Sequence, residues 1–191
     1  MSLYEDDDIK IFTSEKNLNH SADVDADVLQ TVETMNHDRQ NGNVNKARVI
    51  GKHLAKLFVD EVEHRADREE LFQDSSVMQQ ISVLFLFSAE TGFNIYLPST
   101  TLSTIAITAM HDQLELRQSK LYRDVYESSA YSFYFLNIRK ESSNVSENIG
   151  KTFAMLCHHE DDIHFIQEGA QVYNVVLAEI ERNVEKANFA E

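Results

Sequence analysis

The chain has 191 residues, with one proline, five glycines, one cysteine and a formal charge of −15. That length suits one domain with a sizeable core, or two small ones. With 42% hydrophobic and 26% charged residues, the composition is that of a globular protein and not of a disordered one. So few turn-forming residues exclude sandwiches and barrels, which need a reversal about every ten residues. The lone thiol, Cys157, cannot form an intrachain disulfide, and the acidic start, MSLYEDDD, does not read as a secretory leader. A reducing cytoplasm is the expected setting. A surface this acidic repels phosphate backbones and anionic membranes, so neither nucleic acid nor membrane is expected as a partner. Along the sequence, the basic residues read as scattered.

Residues 1–20 mix a charge run with Ile9, Ile11 and Phe12 without a period and read as an acidic arm; residues 21–191 read as a single all-helical domain. A first helix is expected from Ser21 to the Asn41-Gly42 stop, with Val24, Val28, Val32 and Met35 as its apolar stripe. A second is expected from Asn43 or Asn45 to about Arg65, with Val49, Ile50, Leu54, Leu57, Phe58 and Val62 on one face. A third spans roughly Asp67 to Glu90. From Val77 to Met110 the only formally charged residue is Glu90, so this stretch must sit in apolar surroundings on both faces. It is read as a central helical hairpin, buried within one chain or against a second copy. Gly92 and Pro98 are expected to bracket the turn, with Ser99 or Thr100 capping a fourth helix from Leu102 to about Glu127. A fifth carries on through Tyr131, Phe135 and Ile138. After a polar loop over 140–144 come a helix from Val145 to Cys157 and a final one from Glu160 to Lys186 with frayed last turns. The spacing therefore predicts an all-α fold, an irregular helical bundle or short α-superhelix of five to seven helices.

The fragment IGKTFAMLCHHEDDIHFIQEGA, Ile149 to Ala170, resembles a tetratricopeptide repeat unit. Ile149-Gly150, Phe153 and Leu156 fall on the apolar–Gly pair, the aromatic and the leucine of that repeat's first helix. IGKHLAKL, Ile50 to Leu57, echoes it at Ile, Gly, Lys, Ala and Leu. Departures are Cys157 at the turn glycine and Asp162 at a small Ala position. The resemblance implies stacked helical pairs and a concave surface for a protein or peptide. Any amphipathic helix pair with a small contact residue produces the same pattern, and that alternative stays open.

Two constellations invite a functional reading. Phe93, Tyr96, Tyr122, Tyr126 and Phe133 are candidates for a partner-binding aromatic surface, against the alternative of an aromatic core stripe. In HHEDDIH, Asp161 and His164 share a helical face, and Glu61 with His64 forms a second carboxylate–His pair. Bundles hold metals with such pairs plus lone carboxylates, here Glu33 and Glu115. Against this, acidic residues at a helix start answer the helix dipole without any metal. No catalytic residue is nominated, because Cys157 and His158 are adjacent on a helix and do not face each other. No serine elbow or glycine-rich phosphate loop exists either. The expected function is thus a non-enzymatic module binding a protein or peptide and self-associating as a homodimer, without a cofactor. A metal-binding bundle protein or enzyme is the alternative. An effector-binding domain separated from a DNA-reading partner is a third reading.

Overall fold

A computed structural model describes residues 17–68, 74–126, 129–139 and 144–190. Side chains are described within those ranges except at 17–27, 62–68, 118–124, 126 and 137–139. The described residues form seven helices and no strand: α1 (Asn17–Gln40), α2 (Asn43–Arg68), α3 (Ser75–Tyr96), α4 (Thr100–Tyr126), α5 (Ala130–Arg139), α6 (Val145–Leu156) and α7 (Ile163–Ala187). The all-α expectation holds. None of these helices is long and apolar enough to cross a membrane.

α3 is the centre, packing against α2, α4, α5, α6 and α7. Residues 81–89 are buried at every position, so this helix has no solvent face over more than two turns. Residues 81–89 of the uncharged stretch are therefore intrachain core. Directions follow from paired residues. Asn43 meets Ala190 and His53 meets Glu179, so α2 and α7 are antiparallel. Ile81 and Phe85 meet α7 near Val172 and Val176, and Gly92 meets Ile180, so α3 and α7 are parallel. Ser103 bonds to the Phe93 carbonyl, and His111 meets Glu90 at 2.8 Å, so α3 and α4 are antiparallel. It follows that α2 and α4 run side by side in one direction.

Small residues decide how close these rods come. On α2, Ala47, Gly51 and Ala55 recur every four positions and are buried against α4. A β-carbon on Gly51 would stand 3.0 Å from the Ala106 carbonyl carbon, and nearer still to its oxygen. On α6, one at Gly150 would stand 3.1 Å from the Ile166 carbonyl carbon and from the Ala170 nitrogen of α7. Gly92, expected in a turn, instead lies inside α3, where the Ile180 side chain of α7 fills the space a β-carbon would need. The turn is shorter, Leu97 to Ser99, with Ser99 Oγ accepting from the Leu102 amide.

Caps fix the other boundaries. Asp74 accepts from the Ser76 amide at the start of α3, and Asp162 from the His164 amide at the start of α7. Leu71 and Phe72, expected in the third helix, lie outside the described residues. Between α6 and α7 the left-handed residue is His158 (φ 60°), one position after the Cys157 where the repeat pattern expects glycine. α7 does not fray: it ends on left-handed Asn188, and residues 188–190 fold onto the α1–α2 turn. There Asn43, almost fully buried, donates to Asp38 and to the Ala190 carbonyl and accepts from the Ala190 amide. Lys46 bonds to the Asn188 carbonyl and lies over the Phe189 ring.

α1 departs most from expectation. Its stripe was expected to face a core, but Val28 is 55% and Val32 50% exposed, and Leu29 is exposed beside them. Among the described residues the helix packs on α2. Val49 of α2, also placed in an apolar stripe, points to solvent as well.

Candidate functional site

Close approach of α2 and α4 creates a surface cleft. With Gly51 seated on the α4 backbone, the rows flanking the contact become the walls of a cleft of about 450 Å³. Arg48 and Lys52, one helical turn apart, line it from α2. Thr104, Thr108 and Asp112 form the facing row on α4, with Ile105 and Ala109 between the two rows. Arg48, Lys52 and Asp112 make no hydrogen bond or ion pair among the described residues, which leaves the two cations to solvent. Exposed Val49 and Lys56 extend the same side of α2. The cleft is thus cationic and threonine-lined, with an apolar floor and one carboxylate at Asp112.

The sequence reading missed these residues by treating the basic groups as scattered. Lys46, Arg48, Lys52 and Lys56 are four of the 17 basic residues, fall within eleven positions, and have no carboxylate between them. Helical register places Arg48, Lys52 and Lys56 on one line.

Of the aromatic candidates, the side chains of Phe93, Tyr96 and Phe133 are described. Phe93 is fully buried, so the expectation that it meets a partner is corrected: it is a core side chain. Tyr96 is half-buried, and its phenol is pushed up by burial and by Glu181. Phe133 is 45% exposed on α5, and Tyr96 is the last residue of α3. The side chains of Tyr122 and Tyr126 lie outside the described residues. On the inner side of α5, Tyr131 and Tyr134 pack against the Phe87 ring. That part of the aromatic run is core stripe.

The carboxylate–histidine set is also dispersed. Glu61 borders a shallow apolar groove of about 170 Å³ with Ile81, Phe85, Gln171, Val172, Val175 and Val176. It faces α7 two turns, ~10 Å along the axis, from His164. Asp161 and His164 are exposed at the head of α7; Glu33 and Glu115 are exposed on α1 and α4. The His64 side chain is outside the described residues. Among the described residues no three His, Cys, Asp or Glu side chains gather as a metal-holding group. Within HHEDDIH the structure assigns structural work: Asp162 caps α7, and the His159 ring stacks on Phe165 with centroids 3.9 Å apart.

Cys157 is buried, and desolvation first, then the negative charge of Asp74, pushes its thiol up to about 12. The nucleophilic form of a thiol is the thiolate, so this side chain is kept in its inert state. His111 and Asp112, adjacent in sequence, do not pair: His111 turns inward to Glu90 and Asp112 outward to the cleft. No family model, curated protein or solved structure matches the chain.

Proposed function

We propose that this chain is a helical interaction module of the cytoplasm that binds an acidic, partly apolar helical segment of a protein along the α2–α4 cleft. One observation carries the reading: two cations with no partner among the described residues line an elongated cleft with an apolar floor, on a molecule whose net charge is −15. Cations left without carboxylates in so acidic a chain supply a recognition element that steers and orients a complementary partner. Elongation along two parallel helices fits a rod-like ligand laid between them. An extended phosphate backbone carries charge along its whole length and would meet the surrounding acidic surface, whereas a helix with a few carboxylates would not. The antiparallel α6–α7 pair, closed on Gly150, supports treating residues 149–170 as a tetratricopeptide-like unit within this module.

Amide chemical-shift mapping tests the proposal. The probe is a synthetic helical peptide with a leucine stripe flanked by glutamates, with its lysine counterpart as control. Shifts at Arg48, Lys52, Thr104, Thr108 and Asp112 with the acidic peptide alone are expected, and Arg48→Glu with Lys52→Glu should weaken binding at least tenfold. Shifts centred on α5 or on the Glu61 groove, or equal response to both peptides, refute it.

A further inference from the structure

α1 is a 24-residue helix that is almost bare over the residues whose side chains are described, 28–40. From Val28 to Gln40 only Asp38 is buried and only Met35 is half-buried. In proteins most helical stability comes from packing an apolar face against something. α1 has such a face: Val28, Leu29 and Val32 stand on adjacent turns, with Met35 one turn further on. Before Arg39 it contains no lysine or arginine, while it holds Asp23, Asp25, Asp27, Glu33 and Asp38. It is therefore an acidic, partly apolar rod. The cleft between α2 and α4 is a cationic, partly apolar slot, and the two lie on the same chain.

We infer that the occupant of the cleft is α1 of a second copy, exchanged reciprocally so that each copy lends its arm and receives its partner's. This rests on the cleft being a docking surface and adds the identity of what docks. Val28, Leu29 and Val32 then cover Ile105, Ala109 and Val49, and the carboxylates of α1 stand beside Arg48 and Lys52. The covering and covered surfaces are different patches of one molecule, so the contact closes at two copies only when it is made both ways about a two-fold axis, which is the arrangement inferred; made one way it would build open chains. The anchor of each arm is the Asp38–Asn43 bond at its C-terminal end, 2.9 Å long, which holds the root of the helix.

Charge reversal provides the test. Wild type should elute with twice the chain mass in size exclusion with light scattering. Asp27→Lys with Glu33→Lys should give monomers, because the arm loses its net negative charge and sets two lysines against Arg48 and Lys52. Arg48→Glu with Lys52→Glu should give monomers because the acidic arm then meets an acidic cleft. Mixing the two variants should restore a species of twice the mass, since one interface sets the two new lysines against the two new glutamates and the other is wild type. Circular dichroism on each variant confirms that the helices remain; all four positions are charged residues of helices α1 and α2. A wild type that is monomeric at several hundred micromolar overturns the exchange. So do variants that stay dimeric alone, or monomers that fail to combine. The peptide titration of the cleft remains independent: acidic-peptide binding by a monomeric wild type would sink the exchange and leave the docking surface standing.

Discussion

Gly51 and Gly150, 99 positions apart, occupy equivalent roles in two different helix pairs: each seats its helix directly on a main-chain carbonyl of a neighbour, Ala106 for the first and Ile166 for the second. The sequence echo between Ile50–Leu57 and Ile149–Leu156 therefore has a packing cause, although Gly51 meets α4 and Gly150 meets the next helix in the chain.

A methyl group at either glycine has nowhere to go, because the obstruction is backbone and cannot rotate away. Alanine gains about 0.5–1 kcal/mol of helix preference over glycine. Overpacking costs about 1–3 kcal/mol and more where the backbone must shift. Gly51→Ala and Gly150→Ala should each lose roughly 2 kcal/mol net, seen as a thermal midpoint lower by about 4–8 °C for a domain of this size. Gly42→Ala is the contrast: nothing lies within 4 Å of a β-carbon there, and only the positive φ of 83° opposes it. Its loss should be about 1 kcal/mol.

Asn43→Ala should destabilise by roughly 1–3 kcal/mol, the range for a buried polar network losing one member. It removes three bonds and leaves the buried Asp38 carboxylate without its donor. Hydrogen exchange gives the specific readout: the Ala190 amide, which donates to Asn43 at 3.0 Å, should lose protection selectively. An unchanged Ala190 amide would show that the 188–190 segment docks by other contacts.

Cys157 predicts an alkaline limit. Its folded thiol is raised to about 12 from an ordinary 9, so the native state holds a proton that the unfolded chain releases. The neutral thiol's contribution is complete below pH 9 and is lost as pH climbs from 9 toward 12. The buried phenols of Tyr134 and Tyr173 are raised by desolvation and act in the same sense from about pH 10. Urea midpoints should fall across that window, and Cys157→Ala should flatten its lower half. At pH 8 the native thiol should resist iodoacetamide, with alkylation appearing only on unfolding.

Asp162 and Asp161 are neighbours with different duties. Asp162→Ala removes the 2.8 Å bond to the His164 amide and should cost about 1 kcal/mol, the usual value of an N-cap. Asp161→Ala and His164→Ala alter exposed side chains and should move the urea midpoint by less than about 0.5 kcal/mol. A large loss from either, or stabilisation of wild type by added zinc, would reopen the metal reading.

Periodicity made the helices legible because apolar residues at three- and four-residue spacing have one physical solution in a chain so poor in Gly and Pro. It identified which face of each helix is apolar. It could not say whether the chain itself covers that face, which is why Val28, Val32 and Val49 were assigned inward and stand in solvent. Gly92 misled for a related reason: a glycine punctuates a turn or admits a neighbour, and only the position of Ile180 distinguishes the two. Phe93 drew a surface role from its neighbours in sequence, yet it lies on the inner side of α3, and Asn94 and Ile95 take the outer one. The cleft was legible in principle through the register of Arg48, Lys52 and Lys56. The facing threonines of α4 became recognisable only once Gly51 had brought the helices together.

Enclosure of α3 has a consequence for how the protein is made. Its side bearing Ile81, Phe85 and Gly92 is roofed by α7, which leaves the ribosome after α4, α5 and α6. During translation the most apolar segment of the chain therefore emerges well before its cover, and it waits, sticky, while α4, α5 and α6 are synthesised. Nascent chains of this protein should depend on holding factors at the exit tunnel until residues 163–187 arrive, and ribosome stalling before that point should leave them prone to aggregate.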